Sequence, residues 1–223
     1  MCHASILVLA ALSVSAQTRR ETTLTNIDGA AALKQLMDGN ERFTKGEEKN
    51  PDRDKAARAK TATSQRPMAI VLSCSDSRVA PEILFDAGVG DLFVVRVAGN
   101  TLTLEGQASM EYAVAVLGCP LVIVLGHESC GAVDAGIQAY KDNATFPGRI
   151  DSLLDSIEPA VAIASAKGPV TMEHAIDENV AYATQSVKMA GTILSKAVAE
   201  GKLTVVGGVY HLDSGKVEIL DAN

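Results

Sequence analysis

The sequence predicts an α/β fold in which a mainly parallel β-sheet of about four strands, with an antiparallel strand at one edge, is flanked by helices and preceded by an N-terminal helical arm. From Pro67 onward, short apolar runs rich in β-branched residues alternate with longer segments of helical periodicity. The apolar runs are uninterrupted, which is typical of parallel strands that are buried on both faces. Of the 223 residues, 47% are hydrophobic and 21% are charged, which indicates a globular chain rather than a disordered one.

The predicted elements alternate in the way that parallel strands joined by helices require. The four parallel strands are expected at residues 68–73, 92–97, 121–125 and 203–209. A fifth strand, at 216–220, follows the turn formed by residues 213–215 and is expected to pair antiparallel at an edge. Helices are expected at residues 81–87, 104–117, 132–140, 150–164 and 172–200. Residues 67–223 are therefore predicted to form one α/β domain.

The first 16 residues are interpreted as a secretory signal peptide. They contain no Asp, Glu, Lys or Arg, and a short apolar run is followed by small residues that suit cleavage before Gln17. The run is too short to cross a bilayer, which takes about 20 apolar residues. We therefore expect an exported, periplasmic protein. Because no positive charge precedes the apolar run, a cytoplasmic location is the alternative.

Residues 17–66 are predicted to form the helical arm. Either Asn26 or Asp28 is suited to cap a helix whose apolar stripe runs from Ala30 to Met37 with spacings of three and four residues. Because this stripe precedes the sheet in the chain, we expect it to pack against a partner subunit.

The charge balance excludes some classes of partner. The chain has 20 Lys and Arg residues against 27 Asp and Glu residues, a formal net charge of −7. Since proteins that bind nucleic acids present positively charged surfaces, we expect no nucleic-acid partner. After residue 16, no segment is long and apolar enough to cross a membrane, so we expect no membrane span in the mature chain.

Potential metal ligands follow two of the predicted strands. Cys74 lies directly after the first strand, and His127 and Cys130 lie after the third. In an open α/β sheet, ligands bind where parallel strands end and helices begin. Two thiolates and an imidazole suit Zn²⁺, and three protein ligands leave one coordination position open, as in catalytic zinc sites. The sequence therefore predicts one zinc ion per chain at these three residues.

The spacing alone leaves alternatives open. Cys74 and Cys130 are also compatible with a disulfide or with simple packing, because cysteines in exported proteins often form disulfides. Cys119 lies among apolar residues and is interpreted as a small buried side chain. A phosphatase that uses Cys-x₅-Arg is excluded, because only three residues separate Cys74 from Arg78.

Asp76 and Arg78 stand beside the predicted metal site. An arginine two residues from an aspartate can hold the carboxylate ionised and fix its direction through paired hydrogen bonds. Such a pair is often only a structural ion pair, but its position next to the predicted ligands favours a catalytic role.

Several linked motifs together resemble the β-class carbonic anhydrases. The resemblance extends from about Leu33 to Val217. It rests on the CSDSR motif at 74–78 and on FVVRVAGN at 93–100, SMEYAVAVLG at 109–118, VLGHESCGAV at 124–133 and GGVYHLDSG at 207–215. It implies a zinc enzyme, a lyase, that reversibly hydrates CO₂ to bicarbonate and a proton.

The resemblance also implies roles for individual residues. Cys74, His127 and Cys130 match the family's zinc ligands, and Asp76 with Arg78 matches the dyad that orients zinc-bound hydroxide. In the closed state known in the family, Asp76 is a fourth zinc ligand. The residues that match the substrate pocket are Gln65, Phe93, Ala98, Tyr112 and Gly131.

In its pocket residues and in its lack of Trp, the chain resembles the open, plant-like members of the family. The resemblance implies a bacterial, exported member of that group. A bicarbonate-binding allosteric site is therefore not expected. The resemblance implies a homodimer, or a tetramer formed by two dimers. Two alternatives remain: a CS₂ or COS hydrolase on the same fold, and a non-catalytic zinc protein.

Overall fold

A computed structural model describes residues 27–220, so the predicted signal peptide and the beginning of the arm lie outside the described residues. The sheet has the order β2-β1-β3-β4-β5. Its strands are β1 (Ala69–Ser73), β2 (Leu92–Arg96), β3 (Leu121–His127), β4 (Thr204–Tyr210) and β5 (Val217–Leu220). The first four strands are parallel, and β5 pairs antiparallel with β4 at the edge. The predicted fold class is confirmed.

Helices connect and flank these strands. They are α1 (Gly29–Lys45), α2 (Lys55–Thr61), α3 (Pro81–Leu84), α4 (Leu104–Ala115), α5 (Gly131–Asp142), α6 (Ile150–Leu154), α7 (Glu158–Lys167), α8 (Met172–Met189) and α9 (Ile193–Ala199). A 3₁₀ turn, Ala98–Asn100, follows β2. None of the helices within residues 27–220 combines the length and the apolar character needed to cross a membrane.

Two of the predicted helices are interrupted. The helix expected at 150–164 is divided into α6 and α7, and Pro159 lies in the first turn of α7, where its missing N–H costs no helical hydrogen bond. The helix expected at 172–200 ends at Met189, because Ala190 is extended and Gly191 takes the left-handed conformation with φ of 51°. Both breaks come from local backbone geometry, which the hydropathy pattern of the sequence does not predict.

The apolar stripe of α1 packs on the chain's own sheet, while its predicted contact with a partner subunit stays a prediction. Asp28 caps the helix by accepting a hydrogen bond from the Ala31 N–H. Ala32 and Leu36 are completely buried in the core on one face of the sheet. Asn40 then ties the helix to the opposite end of the chain, since its Oδ1 accepts from the Val217 N–H at 2.8 Å.

The other face of the sheet is covered by α4, α5 and α8, which share a second core with β1, β3 and β4. The prediction that all four parallel strands are buried on both faces is wrong for β2. This strand lies at the open edge of the sheet, its first four residues are only partly buried, and Arg96 is exposed. Hydropathy cannot distinguish an edge strand from a central one.

Candidate metal centre and active site

The three predicted metal ligands lie together at the carboxyl ends of neighbouring strands. Cys74 follows β1, His127 is the last residue of β3, and Cys130 is the N-cap of α5. Because β1 and β3 are adjacent and parallel, with Ser73 paired to Leu125, their ends bring these residues to one point. Their potential ligand atoms lie within 4.8 Å of one another, and all three side chains are buried.

The chemistry of this cluster fits a metal ion. His127 Nδ1 donates to the carbonyl oxygen of Glu128 at 2.8 Å, which leaves Nε2 as the nitrogen with a free lone pair. Nε2 is buried and has no hydrogen-bond partner among the described residues. A buried imidazole nitrogen without a partner, next to two thiols, is the donor set that zinc prefers.

The thiols are not joined in the structure. Cys74, Cys119 and Cys130 are free cysteines, so the disulfide that the spacing left open does not form here. The pKa of Cys74 lies well below its usual range, chiefly because Cys130 is hydrogen-bonded to it, with further hydrogen bonds from backbone N–H groups. The same hydrogen bond, together with burial, raises the pKa of Cys130. The site therefore favours a thiolate at Cys74.

Cys119 does not belong to the cluster. It is buried in the core beside β3, as the sequence predicted. Burial raises the pKa of its thiol to about 12, so it is unsuited to bind metal as a thiolate.

Asp76 and Arg78 form a bidentate pair beside the cluster. Arg78 Nε donates to Asp76 Oδ1 at 2.9 Å and Nη2 donates to Oδ2 at 2.7 Å, while the Arg78 backbone N–H also donates to Oδ1. The side-chain hydrogen bonds from Arg78 hold the pKa of Asp76 far below its usual range. Asp76 Oδ2 lies 3.9 Å from His127 Nε2. The carboxylate is thus ionised, fixed in direction and close to the metal ligands.

Arg96 is a residue of the site that sequence reasoning missed. Its Nε donates to the Cys74 carbonyl at 2.9 Å, and its Nη2 donates to the Asp76 carbonyl at 2.6 Å. It therefore holds the backbone of the loop that carries one metal ligand and the aspartate. The sequence did offer one indication of this role, since Arg96 is a charged residue at the end of an otherwise apolar strand.

Glu128 was also missed, although it lies inside the His-x-x-Cys motif. Its carboxylate is hydrogen-bonded to His211 Nδ1 at 2.8 Å and accepts from the Leu212 N–H at 3.0 Å. Its backbone carbonyl is the acceptor for His127. Glu128 thus fixes the loop after β3 to the chain that follows β4.

The predicted pocket residues differ in their surroundings. Ala98 lies in the 3₁₀ turn next to Gly99, whose N–H donates to Cys74 Sγ, and Gly131 follows Cys130 directly. Phe93 lies on β2 and is partly buried against the core. Gln65 and Tyr112 are exposed, Tyr112 by 50%. The single chain therefore leaves these last two side chains open on its surface.

Comparisons with known proteins identify the family. The carbonic anhydrase family profile matches residues 69–217. Carbonic anhydrase 2 of Mycobacterium tuberculosis is 39% identical over 197 residues, which cover 88% of this chain and 95% of that protein. The structure of the β-carbonic anhydrase CcaA is 26% identical, with a TM-score of 0.68, over 85% of this chain and 87% of that one. A tetrameric β-carbonic anhydrase from Sordaria macrospora is 25% identical, with a TM-score of 0.65, over 73% of this chain and 84% of that one. These similarities agree with the buried Cys-His-Cys cluster, and the chain belongs to the β-class of the carbonic anhydrase family.

Proposed function

We propose that this protein is a zinc enzyme that reversibly hydrates CO₂ to bicarbonate and a proton. The observation that carries the proposal is the buried cluster of Cys74, His127 and Cys130 with an ionised aspartate beside it, in a chain of the carbonic anhydrase family. The resemblance found in the sequence implies the same activity.

Cys74, His127 and Cys130 would hold the zinc ion. When bound, zinc supplies a Lewis acid that lowers the pKa of water from 15.7 to about 7, or somewhat less far with thiolate ligands. His127 contributes Nε2, because its Nδ1 is committed to the Glu128 carbonyl. Arg96 holds the backbone carbonyl of Cys74, and the Gly99 N–H holds its sulfur.

Asp76 would orient the attacking water. Because Arg78 keeps its pKa low, the carboxylate remains a hydrogen-bond acceptor at neutral pH and does not itself carry the proton. A water molecule that donates to Asp76 has its lone pair directed by that hydrogen bond toward CO₂. By holding both Asp76 oxygens, Arg78 would keep this carboxylate from binding the metal in place of water.

The substrate pocket would be completed by a second copy of the chain. Gln65, Phe93 and Tyr112 are exposed or only partly buried in the single chain, and β2 is an open edge strand. Exposed apolar surface is added by Leu104, on the same helix as Tyr112, and by Val116, the residue directly after that helix. We propose a homodimer through this surface, with Gln65 donating a hydrogen bond to bicarbonate and with Phe93, Ala98, Tyr112 and Gly131 lining the CO₂ pocket. Pairing of two dimers gives the tetramer.

Export belongs to the proposal as well. The apolar, uncharged residues 1–16 support a signal peptide. Expression of the full chain in a bacterial host should yield a periplasmic protein whose first residue, by mass spectrometry, is Gln17. A full-length protein confined to the cytoplasm would contradict this part of the proposal.

The activity is tested by metal analysis together with substrate assays. The purified protein should contain about one zinc per chain and should hydrate CO₂; a chelator should remove both properties, and added zinc should restore them. CS₂ and COS are assayed in parallel. Zinc with hydrolysis of CS₂ or COS, but without CO₂ hydration, would indicate the alternative hydrolase. Zinc without activity on any of the three would indicate a non-catalytic protein.

A further inference from the structure

A buried asparagine far from the metal ligands in sequence is connected to one of them. Asn179 lies on α8, the helix that packs across β3 and β4, and is only 1% exposed. Its Nδ2 donates to the carbonyl oxygen of Gly99 at 2.8 Å, across 80 positions of the chain. Burying an amide is costly unless it is hydrogen-bonded, so this contact is specific.

Gly99 is the link between Asn179 and the metal site. Its N–H donates to Cys74 Sγ at 3.3 Å in a buried hydrogen bond. Gly99 therefore accepts from α8 through its carbonyl and donates to a metal ligand through its amide. Asn179 thus acts on Cys74 through a single intervening residue.

The turn that contains Gly99 needs such an anchor. Gly99 has φ of 73° and Asn100 has φ of 46°, so two successive residues are in the left-handed region, which is unfavourable for residues other than glycine. The packing around Gly99 is also tight, since a Cβ there would lie 2.7 Å from Ile157 Cδ1. Strained backbone of this kind persists only where surrounding contacts hold it.

We propose that Asn179 is a positioning residue that aims the Gly99 N–H at the Cys74 sulfur and thereby sets how strongly this thiolate binds the metal. The N–H···S hydrogen bond withdraws charge from the sulfur and fixes its direction. Partners of this kind behind the direct ligands orient those ligands and tune the metal. The inference rests on the proposed function, because it assumes that Cys74 binds zinc.

The test substitutes Asn179→Leu, which keeps a side chain of similar volume and removes the amide. Thr184→Val is the matched control: Thr184 lies on the same helix, is 8% exposed, and its hydroxyl has no hydrogen-bond partner within the described part of the chain. Asn179→Ala is made in parallel as a smaller replacement. Circular dichroism and thermal unfolding identify the variants that fold.

Two readouts separate positioning from general stability. The first is the thiolate-to-metal charge-transfer band of the cobalt(II)-substituted protein, and the second is the zinc dissociation constant from competition with a chelator. For Asn179→Leu we expect the band to move to longer wavelength, because the sulfur regains charge. We expect the zinc dissociation constant to rise about tenfold or more, because the Cys74 sulfur is no longer fixed in direction and this loss outweighs the gain in charge. Thr184→Val should match the wild-type protein in both.

A folded Asn179→Leu or Asn179→Ala variant with the wild-type band and the wild-type dissociation constant would overturn the proposal. Failure of both variants to fold, while Thr184→Val folds, would also overturn it in favour of a purely structural role. If the wild-type protein itself bound no zinc, the proposed function would fail first. The proposed function therefore fails if the wild-type protein does not bind zinc, whereas the role of Asn179 fails if the wild-type protein binds zinc and the folded variants bind it equally well.

Discussion

At the scale of single residues, the site depends on which partner holds the Asp76 carboxylate. Both of its oxygens accept hydrogen bonds from the Arg78 guanidinium, and Oδ2 is 3.9 Å from the nitrogen that His127 presents to the metal site. The carboxylate is therefore near enough to reach a metal after a small rotation. Arg78 is what opposes that rotation.

The first prediction concerns Arg78→Ala. Without the guanidinium, Asp76 is free to turn toward the metal and block the position that water would occupy. We expect kcat/KM for CO₂ hydration to fall by about 100-fold or more, a magnitude typical of losing a residue that positions a reacting group. Stopped-flow measurement checks this, with Arg58→Ala on the exposed side of α2 as the control. Full activity in Arg78→Ala would contradict the role given to the pair.

The sequence predicted most of this site because its residues are close in sequence to strand ends. Cys74, Asp76 and Arg78 follow one strand, while His127 and Cys130 follow its neighbour, so parallel topology alone brings them together. Asn179 could not be found in this way. It is one of several polar residues on a long amphipathic helix, and only the structure shows that it contacts the turn at Gly99.

At the scale of elements, one buried carboxylate adds to the contacts that hold α1 on the domain. Asp86 accepts from Arg42 Nε at 2.7 Å and from the backbone N–H groups of Lys49 and Asn50 at 2.9 and 2.8 Å. Its side chain is completely buried. Burial alone would raise its pKa, but these hydrogen bonds outweigh that effect and the pKa is lowered. Asp86 thus joins α1 and the chain that follows it to the end of α3.

The second prediction follows from this contact. Asp86→Ala leaves three buried or partly buried donors unpaired and should cost about 3 kcal/mol in the free energy of unfolding. Denaturant unfolding checks this. The control is Asp38→Ala on α1, which removes an exposed ion pair with Lys34 and should change the free energy of unfolding by less than about 0.5 kcal/mol. Equal losses in the two variants would show that Asp86 has no special role.

The third prediction is the pH dependence of the same group. Because the folded pKa of Asp86 lies below its ordinary value of about 4, its stabilising contribution is fully present above that value and is lost as the pH falls through the folded pKa. The difference in unfolding free energy between wild type and Asp86→Ala should therefore be largest near pH 7 and should shrink below about pH 4. A difference that grows on acidification would have the wrong sign for this account.

The fourth prediction concerns how closely α1 approaches α3. A Cβ on Gly39 would clash with the backbone carbonyl of Phe85, which has no freedom to move aside. Gly39→Ala should destabilise by about 1–3 kcal/mol even though alanine favours helices. The matched control is Gly131→Ala in α5, where a Cβ would meet nothing within 4 Å among residues 27–220; there the change should be neutral or stabilising. Thermal unfolding of both variants decides.

At this scale the sequence predicted which elements exist but not where they break or what they contact. The strands were recognisable as β-branched apolar runs, while the interruption at Gly191 depends on a single left-handed residue. The stripe of α1 was visible as a pattern, yet periodicity does not say whether such a stripe packs on its own sheet or on a partner. The burial of α1 against β3 is a contact between elements that are distant in the chain, and only the structure shows it.

At the scale of the whole molecule, the open edge of the sheet and the exposed face of α4 point to assembly. Leu104 is 77% exposed at the beginning of α4, Val116 is 53% exposed at its end, and Tyr112 lies between them. Exposed apolar side chains next to an unpaired strand edge are what an interface between subunits requires. The dimer proposed for the active site would cover this face.

The fifth prediction tests that assembly. Leu104→Glu places a negative charge in the first turn of α4, where it suits the helix dipole and should not harm the fold of the monomer. We expect it to shift the protein from dimer or tetramer toward monomer in sedimentation experiments and to lower CO₂ hydration in parallel. Tyr140→Glu, an exposed position on α5, is the control. An unchanged oligomer in Leu104→Glu would place the interface elsewhere.

The central claim is that a metal held by two cysteines and one histidine hydrates CO₂. The most direct measurement is stopped-flow CO₂ hydration by the metal-analysed protein at about pH 7.5 and 8.5, with Cys130→Ser as the control. We predict about one zinc per chain, activity that rises with pH because water must lose a proton, and loss of both metal and activity in Cys130→Ser. A wild-type protein without zinc, with Cys74 and Cys130 oxidised to a disulfide, would contradict the account.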